Sequence, residues 1–296
     1  MPHWQRYYQR MTASLLCEPR SLSFLDLLNA DDRSALLCLG RPRAYRRGAS
    51  ITVQGDHSDT VFVLLRGWVK VILDTVDGQE IVLSVLGPGD LLGEFEAIDG
   101  DGGPRTAGNV SLEPVNCQVL VGDEFRAYLE NHPRAALTLM RVIIHRLRTA
   151  DRRRTDSGSL DTVHRLSRLL VELADAHGRP TKVGLEIEIP LKQQELASLI
   201  SSSRESVVRA LRSLRSRGLV ATGRHRISVC DLAALRQHAK SEWLMSRVPN
   251  SFPKARVERT IPAIVAEHAT GRYGLTPGSS SRSDENSSGF GFVDQT

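Results

Sequence analysis

Cysteine is scarce. The four residues Cys17, Cys38, Cys117 and Cys230 lie far apart in a chain of 296 and form no C-x-x-C pair. That spacing argues against a zinc or iron–sulfur site and does not suit a disulfide framework. Long apolar runs are missing too. No stretch approaches the ~18 apolar residues of a membrane span. The opening "MPHWQRYYQR" has no apolar signal core. A soluble, cytosolic protein is the expectation, with no membrane partner. Imidazoles are few where strands are expected: only His57 is available there, against the clustered His and carboxylate ligands that a cupin-like metal enzyme needs.

Length and positive charge are what the chain does have. A chain of 296 residues suffices for two domains with their own cores. The formal net charge of +5 suits an anionic partner. Arg outnumbers Lys, which favours phosphate and guanine contacts and equally fits a GC-rich coding sequence.

Residues 1–20 read as a flexible arm. The segment 21–132 opens with short helices in "SLSFLDLLNADDRSALLCLG", broken at Asn-Ala-Asp-Asp and ended by Gly40. From Tyr45 to Val121 the pattern turns into β-rich runs such as "VFVLLRGWVKVIL" and "NCQVLV", punctuated by glycines. Many short strands predict an antiparallel jelly-roll, or β-roll, rather than a βαβ fold. "GDEFRAYLENHP" closes this part as a short helix. A long helix is predicted from Pro133 to Asp156, with Leu139, Ile143 and Leu147 as a seam between two copies. "RRRTDSGSLD" then reads as a polar hinge, so that helix and hinge fill 133–160. Residues 161–245 form a second domain, and 246–296, rich in Ser, Gly and Pro, a largely disordered tail. The fold class is α+β.

The second domain holds "SRESVVRALRSLRSRGLV". Val207, Ala210, Leu211 and Leu214 recur at helical spacing as one buried stripe, while Glu205, Arg209 and Arg212 share the opposite face. Ser203 caps the start, and Gly218 ends the helix in a left-handed conformation. Upstream, Leu196, Ala197, Leu199 and Ile200 mark a shorter helix, and Ser201 to Ser203 a tight turn. Downstream, Val220 and Ile227 flank the basic tip "ATGRHR". Helix, turn, basic helix and basic hairpin make a winged helix-turn-helix. Its second helix enters the major groove, where Arg204 and Arg209 suit guanine edges and Glu205 a cytosine amino group. Lys192, Gln194, Ser203, Arg212, Arg224 and Arg226 are placed for DNA phosphates.

From Ser21 to Ala239 the chain resembles the cyclic-AMP receptor protein/FNR family of bacterial transcription regulators. "SRESVVR" is similar to that family's SRET-V-x-R recognition helix, which implies base reading by Arg204, Glu205 and Arg209 at palindromic TGTGA-like half-sites. "GDLLGEFEAIDGDGGPRTAGNV" is similar to the family's phosphate-binding cassette. The resemblance therefore implies a cyclic nucleotide, such as cyclic AMP, cyclic GMP or another nucleotide, as an effector and not an obligatory cofactor. Gly93 would let the backbone approach it, Glu94 accept its ribose hydroxyl, and Arg105 and Thr106 hold its phosphate. Arg146 aligns with the arginine that precedes the family's purine-reading hydroxyls. Ala150 and Asp151 occupy the hydroxyl positions, with Thr149 one place off. Two further departures are Ser201, where the family turn has glycine, and Lys192, where it has a capping Ser or Thr.

A homodimeric, effector-responsive regulator that also meets RNA polymerase, and no enzyme, is the resulting expectation. The alternatives are a DNA binder that needs no effector, or an architectural one with a vestigial pocket, and more remotely the cupin-like enzyme.

Overall fold

The computed structural model describes residues 23–100, 103–223 and 226–240; the arm at 1–20 and the tail at 246–296 lie outside them. The expected run of short strands becomes eight: β1 (Arg41–Tyr45), β2 (Ser50–Thr52), β3 (Val61–Arg66), β4 (Val69–Asp74), β5 (Glu80–Leu86), β6 (Leu91–Leu92), β7 (Gly108–Ser111) and β8 (Val115–Leu120). They pair antiparallel in two sheets, ordered β1-β8-β3-β6 and β2-β7-β4-β5. Most successive strands alternate between the sheets, as in a jelly roll.

β3 shows why the apolar run is continuous. Val61 and Val63 face a cluster containing Phe24, Leu36, Leu91 and Phe125, while Phe62 and Leu64 face another with Val69, Leu86 and Val115. Both faces of the strand are buried, so its sequence has no polar alternation.

Four short helices flank the roll: α1 (Phe24–Leu27), α2 (Ala30–Leu39), α3 (Glu94–Asp99) and α4 (Gly122–Asn131). The long helix α5 follows over Pro133–Ser159, with Pro133 in the first turn, where a missing N–H leaves no bond unmade.

Two expectations about α5 need correction. The polar stretch "RRRTDSGSLD" is helical as far as Ser159, so the hinge shrinks to Leu160 and Asp161. One reason is Asp156, buried and accepting from Arg168 at 2.5 Å, which holds the last turns against the next helix. The second concerns the residues expected to pair two copies. Leu139 is 3% exposed inside the roll's own core, and Ile143 packs against that core. The outward apolar stripe is Leu137, Met140, Ile144 and Leu147, of which Leu147 alone was expected there. Its steps of 3, 4 and 3 residues are those of a coiled-coil seam.

The second domain begins with α6 (Thr162–His177), whose first turn is capped by Asp161 accepting from the His164 N–H. Then come β9 (Gly178–Thr181), β10 (Gly184–Ile187), α7 (Gln193–Leu199), α8 (Arg204–Ser216), β11 (Val220–Gly223), β12 (Arg226–Val229) and α9 (Leu232–Ala239). The four strands form one antiparallel sheet, β11-β12-β10-β9. Leu166 and Leu170 of α6, Leu196 of α7, Val207 and Leu214 of α8 and Leu235 of α9 fill the core between them. Each such side chain, fully buried, contributes about 1.5–3 kcal/mol.

That core reaches into the roll. Trp68, Ile72, Val82 and Leu112 belong to the same apolar cluster as α6 and α7. The Trp68 ring lies edge-on to His177 at 4.6 Å. The Val82 N–H on β5 donates to Ser198 Oγ of α7 at 2.6 Å. Arg153 of α5 donates to Glu172 at 2.8 Å and to the Leu83 carbonyl at 3.2 Å.

Ser201 adopts φ 51°, the one left-handed non-glycine residue among those described. A Cβ in that region carries strain of about 1–2 kcal/mol. Ser201→Gly is therefore expected to stabilise the protein by about 1 kcal/mol, raising Tm by about 2–4 °C. A thermal melt that fails to rise would show the turn to be relaxed with serine.

Candidate functional site

The basic face of α8 is built by the buried one. Val207, Ala210, Leu211 and Leu214 are sunk in the core, which fixes the rotation of the helix and turns Arg204, Glu205, Arg209 and Arg212 outward, all exposed. The start is held by Ser203 Oγ accepting from the Ser206 N–H at 3.2 Å, and Gly218 closes the end at φ 71°. Arg209 is steadied by a 2.9 Å bond to Ser206 Oγ. Lys192 and Gln194 are exposed at the start of α7. At Lys192, where the resembling family has a capping hydroxyl, the cap is made from the other side, by Glu195 accepting the Lys192 N–H at 2.5 Å. Arg226 at the wing is exposed and lies 3.4 Å from Glu186. Arg224 falls outside the described residues.

Two further cations brace this unit. Arg165 of α6 donates to the Ser201 carbonyl at 3.1 Å and steadies the turn. Arg215 donates to Thr222 at 3.1 Å and ties the wing to α8.

The second cluster sits between β6, α3 and the strand β7. Gly93 has φ +76°, and a Cβ there would stand 2.2 Å from Arg105 Nη1 and 2.6 Å from the Thr60 carbonyl. Glycine is required for close approach, as expected, but what approaches is the chain's own guanidinium. Arg105 is 3% exposed. Its Nη1 donates to Glu96 Oε2 at 3.0 Å and to the Gly93 carbonyl at 3.3 Å; its Nη2 donates to Thr60 O at 2.6 Å and Ser58 Oγ at 3.1 Å. Nε is buried with no acceptor among the described residues. The other oxygen of Glu96, Oε1, accepts from the Thr106 N–H at 3.0 Å and from Thr106 Oγ1 at 3.1 Å.

Glu94, 2% exposed, is tied to α5: its Oε1 accepts from Arg146 Nη1 at 2.6 Å, and Arg146 also reaches the Leu91 carbonyl and Asp90. Burial pushes the Glu94 carboxyl up, against the opposing charge of Arg146. Burial acts likewise on Glu96, but the Thr106 N–H and the Arg105 guanidinium outweigh it and hold that carboxyl below its ordinary value. Removing one member of a buried pair of this kind strands the other, at about 3–5 kcal/mol. Further along α5, Thr149 is half-buried while Ala150 and Asp151 are exposed; Arg146 is the residue through which α5 bonds to Glu94, Leu91 and Asp90.

The cyclic phosphate expected at Arg105 and Thr106 would share these donors with Glu96. Arg105 gives Glu96 one Nη1 bond and Thr106 gives it both its N–H and its hydroxyl, while the other bonds of the guanidinium go to Gly93, Thr60 and Ser58. The signal in the sequence is the second carboxylate of "GEFE", two residues beyond Glu94, whose partner is revealed only by the fold. Among the described residues no group of His, Cys, Asp and Glu is placed to hold a metal ion, and no helix is long and apolar enough to cross a membrane.

The family model for a cyclic nucleotide-binding domain matches residues 42–132, and that for a Crp-like helix-turn-helix domain matches residues 164–238. The chain is similar to the cyclic AMP receptor protein of Thermus thermophilus, with 30% identity over 197 residues, 67% of this chain and 87% of that relative. It is 28% identical to the CRP-like cAMP-activated global transcriptional regulator of Mycobacterium tuberculosis over 200 residues, 68% of this chain and 88% of the other. Among solved structures, a CRP-family transcriptional regulator from Thermus thermophilus superposes with a TM-score of 0.56 at 26% identity, covering 67% of this chain and 97% of that one. A roll matched by one family domain and a reading helix matched by the other, in this order, make the chain a member of the Crp/Fnr family of transcription regulators, and not an enzyme.

Proposed function

We propose that the protein is a homodimer that reads palindromic TGTGA-like DNA with Arg204, Glu205 and Arg209. The observation that carries this is their shared exposure on α8, above a stripe buried firmly enough to aim them. Lys192, Gln194, Ser203, Arg212, Arg224 and Arg226 would hold the flanking phosphates and fix register. The stripe Leu137, Met140, Ile144 and Leu147 would pair two copies along α5. Two reading helices then meet half-sites about 34 Å apart, one turn of DNA. RNA polymerase is the further partner, and the cytoplasm the compartment, in keeping with the relatives' role as transcription regulators.

The relatives named for cyclic AMP support a cyclic nucleotide as effector. The bond of Arg105 to Glu96 favours a second reading, in which DNA binding does not wait for one.

A gel shift on a site library tests the DNA reading. Arg209→Ala is expected to weaken binding by about 2 kcal/mol, with the loss confined to one base pair of each half-site. An equal loss on every sequence would instead indicate an architectural binder.

A further inference from the structure

We propose that Glu96 is the resident anion of the β-roll pocket: its carboxylate occupies the seat of a cyclic phosphate and shuts cyclic nucleotides out. The inference rests on reading Arg105 and Thr106 as an anion-binding pair, and it adds what fills that pair.

Three donors converge on this one carboxylate. Arg105 Nη1 reaches Oε2, while the Thr106 N–H and hydroxyl both reach Oε1, all at 3.0–3.1 Å. A charged donor, a backbone N–H and a hydroxyl around two oxygens form a seat for any oxyanion. Glu96 is 8% exposed and Arg105 3%, so little of the pair meets solvent. An entering phosphate would have to evict a carboxylate carried by the same chain, whose effective concentration is on the order of millimolar or higher. The ribose side is closed in the same way, since Glu94 is engaged by Arg146 at 2.6 Å. One donor betrays the substitution. Arg105 Nε is buried and unpartnered, and a phosphate, with more oxygens than a carboxylate, has one to spare for it.

The test uses the full chain, with inorganic phosphate and cyclic AMP as probes. In wild type, calorimetry should show no saturable heat with cyclic AMP up to millimolar concentration. Exchanging chloride for phosphate at equal ionic strength should leave the melting curve in place. Glu96→Ala should melt lower in chloride, recover in phosphate, and bind cyclic AMP about tenfold or more tighter than wild type. Adding Arg105→Leu should remove both responses. Should Glu96→Ala fail to fold in chloride, refolding in phosphate and the milder Glu96→Gln supply the same readouts. Micromolar binding of cyclic AMP to wild type, or equal responses of wild type and both Glu96 variants, would overturn the proposal. Failure of the DNA reading shows separately, as wild type that selects no site in the nucleotide-free gel shift while heats and melts remain readable.

Discussion

Ile144→Glu combined with Leu147→Glu is expected to yield a folded monomer that has lost its operator. Both side chains are exposed, at 44% and 60%, and neither belongs to a buried cluster of the chain's own core, so the protomer loses little by the change. Two stripes brought together would instead set four carboxylates against one another in a desolvated seam. Binding both half-sites at once is what multiplies two weak contacts into one strong one. Losing it lowers affinity by about 10²–10⁴-fold. Sedimentation should report the mass of one chain, with an unchanged far-UV spectrum, and the gel-shift midpoint should move by that factor. A double variant that still sediments as a dimer would place the interface elsewhere.

The second large effect concerns acid. Burial beside Trp68 pushes the His177 imidazole down from 6.5 to about 4, with Glu172 pulling weakly the other way. The folded state thus favours the neutral ring, and between those values the unfolded chain binds more protons. Its contribution is complete above pH 6.5 and is lost as pH falls towards about 4. The loss amounts to about 3.5 kcal/mol at most, from ~1.4 kcal/mol per pH unit. Carboxylates held low in the fold, such as Glu96 and Asp161, also lose their contribution in acid. His177→Phe isolates the imidazole: urea denaturation should show a markedly shallower decline between neutral and acid pH than wild type. Parallel declines would mean that the ring is not what titrates.

Much of this architecture was legible because its signals are local. The stripe Val207, Ala210, Leu211, Leu214 reports which side of α8 is buried without reference to any other element. The caps at Ser203 and Gly218 follow from residues within one turn of themselves, whereas the left-handed Ser201 was signalled only by the glycine of the resembling family's turn. What stayed hidden depends on distant partners. α5 carries apolar residues on two sides, and only the roll decides that Leu139 faces inward while Met140 faces out. The charged run "RRRTDSGS" resembles a linker until Arg168, twelve residues on from Asp156, gives that carboxylate a partner. Glu96 reads as an ordinary surface acid of a short helix, because Arg105 and Thr106 return to it only through the loop after α3.

The Val82–Ser198 bond bears on what happens when the reading unit moves. β5 is the outer strand of its sheet, and α7 shields it at that point. Lifting α7 away would uncover Val82 and free its amide between Ile81 and Leu83, which are already exposed, a surface to which another extended chain readily adds. Any swing of the second domain large enough to lift α7 off β5 thus carries a hazard of sticking, and a protein kept in that posture should be the more prone to clump on storage.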